Sequence, residues 1–499
     1  MQIFNTTQIR AWDEYTIQHE PISSVDLMER AAEACCSWIM NNGFGGKEYS
    51  IFCAKGNNGG DGLAIARILS EEDYKVSVYI LEFGNKGTDD FQVNLARLHE
   101  TSASIKFISS EEHIPQIDNN QLIIDALLGS GLNRTPEGLT AAIITSINAS
   151  DNKVIAIDIP SGLFIDRATE SDIIIKADHT LSFQSNKLAF MMQESQEFTG
   201  RIHILDIRLH KNYLQLTPSD NNIITEEIIS GFIRPRKKYS HKGDYGYGGL
   251  IAGSKGMMGA AVLSAKAFMR SGGGKLSCHI PSSGYEIMQI SVPEAMSKQE
   301  EGDEYILSVS SLDKYDTLGI GPGLGQHQSH KELLLRIFNT YRKPVVIDAD
   351  ALNIISENKE LLDKVPAHSV LTPHPKEFER LFGKAQNDFQ RMELALQNAA
   401  KYNIIIVVKG PDTFIATPDG KGYFNSTGNP GMATAGAGDV LTGVITGLLA
   451  QELSPEQATI AGVYLHGSAG DIAALQKSEQ SMIASDIIDN LGNAFLQVM

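Results

Sequence analysis

The chain has little cysteine and no long hydrophobic run. Its 499 residues include only four cysteines, Cys35, Cys36, Cys53 and Cys278. Because none of them forms a CxxC pair, neither a disulfide framework nor a cysteine-based zinc site is expected. The sequence also lacks an apolar leader at its start and any run of about 18 apolar residues, the length that a membrane-spanning helix needs. We therefore expect a cytoplasmic protein with reduced cysteines and no membrane partner.

Positive charge is also scarce. Lysine and arginine number 42 against 60 aspartates and glutamates, which gives a formal net charge of −18 at pH 7. Such a surface repels nucleic acid and anionic membranes, so no nucleic-acid partner is expected. A phosphate-bearing ligand must instead be held by local backbone dipoles, such as the N–H groups at the start of a helix.

Two successive series of short apolar runs indicate two α/β domains, since 499 residues exceed one ordinary core. The runs of the first series lie at 50–54, 76–81, 121–126, 153–158 and 201–207. Helix-length stretches such as 63–72 separate them, which predicts crossover connections and a parallel sheet. An amphipathic helix that follows Ser24 is expected to cover this sheet.

A second series of strands is predicted in the later part of the chain. Its runs lie at 250–254, 275–281, 317–321, 345–350, 369–373 and 404–410. Between the two series, the turn residues of TPSDNN predict a linker at 211–225. We therefore place the first domain at 1–210 and the second, larger domain at 226–499.

The first candidate site is the glycine-rich loop KGNNGGDG, which follows the strand at 50–54. Its glycines, Gly56, Gly59, Gly60 and Gly62, are expected to allow positive φ and close approach by a ligand. The helix after them offers free N–H groups to an anion, and Asn57, Asn58 and Asp61 add oxygen atoms that suit a hard cation or a ribose. The alternative is a tight strand-to-helix connection without a ligand.

Polar residues also follow two other strands of this half. Asp125 lies near the end of the run at 121–126, Asp158 ends the run at 153–158, and Ser161 follows it. Open α/β sheets place ligands at the carboxyl ends of their strands. Asn58, Asp125 and Ser161 together predict an oxygen-lined pocket for a monovalent cation, although each aspartate alone is more simply a helix cap or a hydrogen-bond acceptor for a loop.

The second candidate site is GNPGMATAGAGDVLTGVITGLLA, in which a buried helix face follows Asp439. Gly436 and Gly438 present bare N–H groups at the helix start, which predicts an anion hole. A bound phosphate would repel the Asp439 carboxylate, so its place beside the anion hole needs a functional reason. A general base that takes a proton from an attacking hydroxyl would explain it. The alternative role for Asp439 is an ordinary N-cap.

Further loops at strand ends are expected to surround the same pocket. They are IGPGLG (320–325), GSKGMMGAA (253–261), DADALN (348–353), LTPHPKEFERL (371–381) and VVKGPDT (407–413). His374 stands rigidly between two prolines, and Lys409 is placed to balance phosphate charge. Either residue alone is as simply explained as an incidental or solvated side chain.

The first half resembles a known family. LMERAA, GNNGGDG, DALLGSGL, DIPSG and FQSNK, which ends at Lys187, are similar to the N-terminal domain of the NAD(P)H-hydrate epimerases across residues 5–207. The resemblance implies a Rossmann-like three-layer domain that interconverts the R and S forms of hydrated NAD(P)H, written NAD(P)HX. It also implies acid/base chemistry by Asp158 and a potassium ion on Asn58, Asp125 and Ser161. The residues that it implies for substrate binding are Asn57, Asn58, Gly59, Gly60, Asp61, Gly129, Ser130, Gly131, Leu132, Asn133, Arg134, Thr135 and Asp158.

The second half is similar to the ribokinase-like superfamily, and closely to its ADP/ATP-dependent NAD(P)H-hydrate dehydratases. HKGDYG, MMGAAVLSAKAFMRSGGG, GPGLG, DADALN, LTPHPKEFERL, GNPGMAT and YLHGSAGD match in order across residues 226–495. The resemblance implies a ribokinase-like α/β domain that uses ADP, with Mg²⁺ at the dehydratase site. The residues implied to face the hydrated cofactor are Gly323, His374, Pro375, Lys376, Glu377, Phe378, Glu379, Arg380 and Asp439. Those implied to bind ADP are Lys409, Gly410, Pro411, Asp412, Thr413, Asn429, Pro430, Gly431, Met432, Ala433, Thr434, Ala435, Gly436, Ala437 and Gly438.

Together the two resemblances imply a bifunctional enzyme of nicotinamide-nucleotide repair. Its first domain epimerises NAD(P)HX, and its second dehydrates the S form at the expense of ADP, with Asp439 as base. The family usually reads GGTGD or GGSGD where this chain reads AGAGD, so the nucleotide affinity is left open. The alternatives are a ribokinase-like small-molecule kinase and a first half that is only a nucleotide-binding module. A homo-oligomer is also expected, while the choices between ADP and ATP and between NADHX and NADPHX stay open.

Overall fold

The structure, a computed structural model, describes residues 1–45, 47–451 and 453–499. The chain forms two compact units. The N-terminal unit comprises Gln2–Ser219 with Asn387–Phe389, and the C-terminal unit comprises Asp220–Gln386 and Gln390–Met499 with Met1. The chain passes from the first unit to the second between Ser219 and Asp220, inside the segment 211–225 that the sequence predicts as a linker.

The strands of the N-terminal unit are β1 (Gln2–Ile3), β2 (Glu48–Cys53), β3 (Val76–Leu81), β4 (Ser104–Ile108), β5 (Gln121–Ala126), β6 (Val154–Ile157), β7 (His179–Phe183) and β8 (Arg201–Leu205). Its helices are α1 (Thr6–His19), α2 (Ser24–Asn41), α3 (Asn57–Glu71), α4 (Asp89–Leu98), α5 (Gly138–Asn148), α6 (Gln196–Thr199) and α7 (Asn212–Leu216). The strands predicted at 76–81 and 121–126 are confirmed residue for residue. Strands β4 and β7 escaped prediction because polar residues interrupt their apolar runs.

Strands β2 to β8 form a parallel sheet in the order β4-β3-β2-β5-β6-β7-β8. Successive residues of β2 face opposite cores. Ile51 and Cys53 pack in one core with residues of α2 and α3, whereas Phe52 packs in a second core with residues of α5. Helices therefore cover both faces of the sheet, and the three-layer arrangement predicted from the sequence is confirmed.

Helix α2 begins earlier than predicted, because Ser23 and not Ser24 is its N-cap. The Ser23 hydroxyl accepts a hydrogen bond from the N–H of Asp26 at 3.1 Å, and the Asp26 carboxylate accepts one from the N–H of Ser23 at 3.2 Å. This reciprocal capping box fixes the helix start. The helix then buries residues at helical spacing, among them Leu27, Ala31 and Cys35.

The strands of the C-terminal unit are β9 (Asn221–Ile223), β10 (Tyr247–Ile251), β11 (Lys275–Ile280), β12 (Met296–Gln299), β13 (Thr317–Ile320), β14 (Val345–Ile347), β15 (Val370–Leu371), β16 (Ile405–Val408), β17 (Thr413–Ala416) and β18 (Gly422–Asn425). Its helices are α8 (Glu226–Phe232), α9 (Met258–Arg270), α10 (Tyr285–Ser291), α11 (His330–Thr340), α12 (Ala349–Glu357), α13 (Pro375–Phe382), α14 (Asp388–Tyr402), α15 (Ala437–Leu449), α16 (Pro455–Lys477) and α17 (Ala484–Val498).

These strands lie side by side in the order β9-β18-β17-β16-β15-β14-β13-β10-β11-β12. The stretch from β10 to β16 is parallel, whereas β17 pairs antiparallel with both of its neighbours. Several strands are shorter than predicted. The run at 345–350 keeps extended structure only to Ile347, because Asp348 is already the N-cap of α12.

Two further properties concern the whole chain. All four cysteines are free and buried. Over residues 1–45, 47–451 and 453–499, no helix combines the length and the hydrophobicity that crossing a membrane requires.

Candidate active sites

The N-terminal unit holds a cavity of about 620 Å³ at the carboxyl ends of its central strands. The strand order reverses between β2 and β5, and parallel α/β sheets open a ligand crevice at such a point. The segments that follow these two strands both line the cavity, through Asn57, Asn58 and Asp61 on one side and residues 127–134 on the other. The cavity therefore lies at the carboxyl ends of the strands, where the sequence predicts the ligand site.

The glycines of KGNNGGDG act differently from the prediction. Helix α3 already begins at Asn57, and none of the four glycines has a positive φ. Gly59 instead allows close packing, because a Cβ there would lie 1.6 Å from the carbonyl oxygen of Ala54. A Cβ on Gly60 would meet the sulfur of Met28 at 2.7 Å. These glycines let the helix approach the strand end, and this places the side chains of Asn57, Asn58 and Asp61 at the cavity.

The predicted potassium ligands, Asn58, Asp125 and Ser161, are all buried. The Ser161 hydroxyl donates to Asp125 at 2.6 Å, and the Ser161 N–H donates to the other carboxylate oxygen at 2.8 Å. Burial raises the pKa of Asp125 to about 6, against the lowering effect of these hydrogen bonds. Both polar atoms of the Asn58 side chain are buried and have no hydrogen-bond partner among the described residues.

Asp158 lines the cavity and is held by two partners. Its backbone has a φ of 69°, a left-handed value that is rare for a residue other than glycine. One carboxylate oxygen lies 2.7 Å from the Nζ of the buried Lys187, and the other accepts a hydrogen bond from the Ser130 N–H at 2.9 Å. Burial raises the pKa of Asp158, but Lys187 and Ser130 outweigh it and hold the pKa below its usual value.

The cavity gathers some, but not all, of the residues predicted to bind the substrate of this unit. It is lined by Asn57, Asn58, Asp61, Gly129, Ser130, Gly131, Leu132, Asn133, Arg134 and Asp158. Gly59 and Gly60 face the protein interior, and Thr135 is not among the lining residues. Sequence reasoning missed Arg10 and Asp13, which line the cavity from α1. Helix α1 precedes the first predicted strand, and no local sequence pattern indicates that it reaches this cavity.

In the C-terminal unit, the start of α15 has the geometry predicted for an anion site. Gly436 is the N-cap with a φ of 90°, and a Cβ there would lie 2.5 Å from a methyl carbon of Leu263, so a side chain is excluded twice over. The Ala437 N–H donates to the Thr434 carbonyl at 3.4 Å, whereas the N–H groups of Gly438 and Asp439 have no backbone partner among the described residues. Asp439 is the third residue of the helix, so the alternative in which it is the N-cap is wrong.

A second aspartate, Asp348, joins the anion site from the end of β14. It is almost fully buried, lies 2.9 Å from the Nζ of Lys409 and accepts a hydrogen bond from the Thr442 hydroxyl at 2.8 Å. A Cβ on Gly438 would lie 3.3 Å from the same Nζ. The structure thus brings Lys409, Gly438 and Asp439 together, as predicted. Asp348 lies in the quoted motif DADALN but was not assigned a role there.

The pKa of the Asp439 carboxyl lies near neutral pH. Burial and the nearby charge of Asp348 raise its pKa to about 7, while Lys409 acts in the opposite direction. A carboxyl with this pKa exchanges protons readily at physiological pH, as a general base must. The raised pKa is a property of the assembled site, because its causes come from separate strand ends.

The residues from His374 to Arg380 have different structural roles. The His374 ring is the N-cap of α13, where Nδ1 accepts hydrogen bonds from the N–H groups of Lys376 at 3.1 Å and Glu377 at 3.4 Å. Burial and Lys409 lower the pKa of His374, which keeps the ring neutral. Arg380 donates to Asn353 at 2.8 Å, and Pro375 is the first helical residue. Phe378 is fully buried, and its ring centroid lies 5.2 Å from that of Phe382, so it lies in the core and not at an accessible surface.

Helix α16 holds the loops that are predicted to bind ADP. Asp471 accepts hydrogen bonds from the Gly428 N–H at 2.9 Å and the Asn429 amide at 3.0 Å. His466 Nε2 lies 2.9 Å from the Ala437 carbonyl oxygen, to which it donates. Burial lowers the pKa of His466 to about 4, so the ring stays neutral. Both residues belong to the quoted motif YLHGSAGD, in which no role was predicted for them.

The remaining residues predicted for ADP form the connections on either side of these contacts. The Thr413 hydroxyl donates to the Gly410 carbonyl at 2.9 Å and closes the turn through Pro411 and Asp412. Burial raises the pKa of Asp412 to about 6. Pro430, Gly431 and Met432 form a 3₁₀ turn, while Ala433 and Ala435 are exposed and Thr434 is half-buried. Gly323, with a φ of 59°, follows β13 at the same sheet edge.

Comparison with known proteins assigns a family to each part of the chain. Residues 249–493 match a family model described as NAD(P)H-hydrate dehydratase, and residues 24–189 match one described as YjeF-related protein N-terminus. A ribokinase-like superfamily protein from Enterococcus faecalis is structurally similar, with a TM-score of 0.50 and 27% identity over 56% of this chain and 98% of its own.

Relatives similar over nearly the whole chain carry both parts. A protein from Moorella thermoacetica named bifunctional NAD(P)H-hydrate repair enzyme is 34% identical, covering 98% of this chain and 96% of the relative. One of the same name from Escherichia coli is 33% identical, covering 93% of this chain and 88% of the relative. With both family models matched in order and a relative that is 34% identical over 98% of this chain, the chain belongs to the bifunctional NAD(P)H-hydrate repair enzyme family.

Proposed function

We propose that this protein repairs hydrated NAD(P)H in two reactions, one in each unit. The N-terminal cavity epimerises R-NAD(P)HX to the S form, and the site at the start of α15 dehydrates the S form to NAD(P)H with ADP, which becomes AMP and phosphate. The observation that carries the proposal is a carboxyl with a pKa of about 7, Asp439, within the anion-binding turn of a helix. A base and a phosphate site in one place suit phosphoryl transfer to a hydroxyl.

In the dehydratase reaction, Asp439 takes the proton from the C6 hydroxyl of S-NAD(P)HX as that oxygen attacks the β-phosphoryl group of ADP. The N–H groups at the start of α15 and the ammonium of Lys409 stabilise the charge on the transferred group. Phosphate then leaves from C6, and loss of the C5 proton restores the ring double bond. Phosphorylation turns hydroxide, a poor leaving group, into a good one, which explains the need for a nucleotide.

Mg²⁺ is proposed to accompany the nucleotide. Within the described residues, no group of three or more histidine, cysteine, aspartate or glutamate side chains is arranged to hold a metal ion. Mg²⁺ is commonly bound through substrate phosphates with only one or two carboxylates, for which Asp348 and Asp439 are the nearest candidates. When bound there, the ion neutralises charge on the phosphates.

Asn58, Asp125 and Ser161 fit a potassium ion in the N-terminal unit. Asn58 has an unpartnered buried oxygen, and the fully buried Asp125 has no lysine or arginine partner among the described residues. A monovalent cation supplies the positive charge that balances such a carboxylate and fixes the surrounding loops. We expect K⁺ to raise the melting temperature of the wild type but not that of Asp125→Asn, with Na⁺ at equal ionic strength as the control.

The dehydratase proposal is tested by incubating the protein with hydrated NADH and ADP and following the absorbance of regenerated NADH. We expect recovery with the wild type and a rate at least about 100-fold lower with Asp439→Asn. Asp363→Asn, at an exposed site, is the matched control. Undiminished recovery by Asp439→Asn contradicts the proposed base, and a stable phosphorylated product identifies a small-molecule kinase instead.

The epimerase proposal needs a separate assay. Without nucleotide, the full-length protein is given R-NADHX, and the S form is measured by chromatography against an enzyme-free sample. Wild-type acceleration supports the proposal, whereas none supports a first unit that only binds nucleotides.

We further propose a homo-oligomer in the cytoplasm. The four free, buried cysteines suit a reducing compartment. Light scattering of the purified protein measures its mass in solution, and a single-chain mass of 54.3 kDa contradicts the homo-oligomer.

A further inference from the structure

Four carboxyl groups line the N-terminal cavity, and only one of them has a cationic partner among the described residues. Asp13 comes from α1, Asp61 from the start of α3, and Asp158 from the segment after β6. Asp90, at the start of α4, accepts a hydrogen bond from the Ser24 hydroxyl at 2.8 Å. Lys187 pairs with Asp158. Within the described parts of the chain, neither Asp13 nor Asp61 forms a salt bridge or a side-chain hydrogen bond.

Asp158 is poorly suited to release a proton. Lys187 occupies one of its carboxylate oxygens at 2.7 Å, and the Ser130 N–H occupies the other at 2.9 Å. The Lys187 ammonium also contacts the Ser182 hydroxyl, so the ion pair is anchored on the protein side as well. Asp158 therefore stays an anion, which suits stabilising a positive charge on the substrate but not giving a proton.

We propose that Asp13 is the general acid of the epimerase site, a role that rests on the epimerase function proposed above. Its carboxyl faces the same cavity as Asp158 and has no described protein partner that would hold its proton in place. Asp13 donates and accepts the proton, and Asp158 supplies a fixed negative charge.

The step balances without any further reactant. Asp13 donates its proton to the C6 hydroxyl oxygen while the C6–O bond breaks, and the bonding electrons leave with the oxygen as water. The ring nitrogen lone pair forms the N1=C6 double bond of an iminium ion, whose positive charge the Asp158 carboxylate stabilises. Water then adds to the opposite face of C6, its oxygen forming the new bond as N1 regains its lone pair. Its surplus proton returns to Asp13, directly or through a second water, and leaves the inverted alcohol.

The electrostatic environment supports this division. Burial and the charge of Asp158 raise the pKa of Asp13 to about 7, with Lys187 opposing and Glu14 adding to the shift. Burial and the charges of Asp158, Asp13 and Asp90 raise the pKa of Asp61 well above its usual value. Two groups whose environments push their pKa values apart are the pattern of an acid and its partner anion. Arg10, close to Gly131, is the other charged side chain of α1 at the cavity.

The test follows R-to-S conversion by the full-length protein without nucleotide, as a function of pH. We expect the wild-type kcat to fall above a pH of about 7, since the acid must be protonated. Asp13→Asn is expected to lower kcat about 100-fold or more, to change KM little and to lose that high-pH limb. Asp13→Glu keeps a carboxylic acid and is expected to restore part of kcat together with a shifted limb.

Glu14→Gln is the matched control, because Glu14 is the next residue of α1 and is exposed. It is expected to leave the maximal kcat unchanged and to shift the high-pH limb only slightly, toward lower pH, because Glu14 makes the smallest of the contributions that raise the pKa of Asp13. Dehydration of S-NADHX by the same preparations reports the integrity of the protein. A kcat of Asp13→Asn within threefold of the wild type, or an unchanged high-pH limb in Asp13→Asn, overturns the role of Asp13. If the wild type itself does not epimerise, the proposed epimerase function fails instead. If Asp13→Asn does not fold, the decision passes to Asp13→Glu, and an unshifted limb in that variant overturns the role.

Discussion

At the scale of single residues, the most informative group is the Asp439 carboxyl. Its raised pKa makes the proposed base titrate close to physiological pH. We expect kcat/KM for S-NADHX dehydration to fall about tenfold for each pH unit below a pH of about 7, because only the ionised carboxyl accepts a proton. A pH profile measured under ADP saturation checks this, and a flat profile between pH 5 and about 8 contradicts it.

The same carboxyl links activity to stability. Because the folded-state pKa lies above 3.8, the usual value for an aspartate, the protonated form favours folding, and this stability is lost as pH rises from about 4 to about 7. Asp439→Asn removes the ionisable group. We expect its melting temperature to exceed that of the wild type at pH 8 and the difference to shrink as the pH falls toward about 4. Thermal unfolding at both pH values measures this difference in melting temperature, with Asp363→Asn as control. A lower melting temperature for Asp439→Asn than for the wild type at pH 8 is inconsistent with the raised pKa.

Lys409 is predicted to act on the nucleotide and on the base. Its ammonium lies beside Gly438 and lowers the pKa of Asp439. Lys409→Met should raise KM for ADP about tenfold, the loss of roughly one charge-assisted hydrogen bond, and shift the acidic limb of the pH profile to higher pH. Lys331→Met, which breaks an exposed pair with Glu360, should change neither. Steady-state kinetics over pH separates these results, and an unmoved limb argues against the contact with Asp439.

At the scale of elements, close packing of α3 on the end of β2 positions the N-terminal site. Gly59→Ala places a Cβ 1.6 Å from the Ala54 carbonyl oxygen, so the helix must shift. We expect a loss of about 3 kcal/mol or more, since backbone cannot yield as a side chain does. Gly56→Ala is the matched control, because its Cβ would meet nothing within 4 Å. Thermal unfolding decides, and equal stability of the two variants contradicts the packing role.

Helix α16 has a comparable role in the C-terminal unit. His466 and Asp471 lie on one helix and fix two different loops by hydrogen bonds of 2.9 to 3.0 Å. One helix therefore keeps the start of α15 and the loop at Asn429 in a constant arrangement. This gives the motif YLHGSAGD a structural reason that its sequence alone does not reveal.

At the scale of the whole molecule, each unit has its own hydrophobic core and its own site. The buried clusters around β2 and β5 belong to the N-terminal unit, and that around α15 and α16 belongs to the C-terminal unit. We expect the two activities to be separable by mutation. Full-length Asp439→Asn should epimerise R-NADHX at the wild-type rate without regenerating NADH, and Asp158→Asn should dehydrate the S form at the wild-type rate.

Mixing these two variants completes the test. Supplied with R-NADHX and ADP, the mixture should regenerate NADH, because the S form made by one variant is free to reach the other. A mixture that stays no faster than Asp158→Asn alone, given active single variants, contradicts separable sites with a released intermediate.

The sequence by itself determined much of this protein. Apolar runs of strand length gave β3 and β5 residue for residue, and the motifs placed both sites at the carboxyl ends of parallel strands. It also singled out Asp439 in a glycine-rich helix start. These features were readable because helix starts, strand periodicity and glycine turns depend on residues that are close in sequence.

Only the tertiary structure decided which distant groups share each site. Asp348 meets Lys409 across 61 positions, and Asp13 reaches the cavity of Asp158 from a helix that precedes the sheet. Gly59 is needed for close packing and not for a positive φ, and this role likewise depends on how closely α3 approaches Ala54. The pKa values of Asp13 and Asp439 follow from burial and from neighbouring charges brought together by folding, so no local pattern in the sequence encodes them.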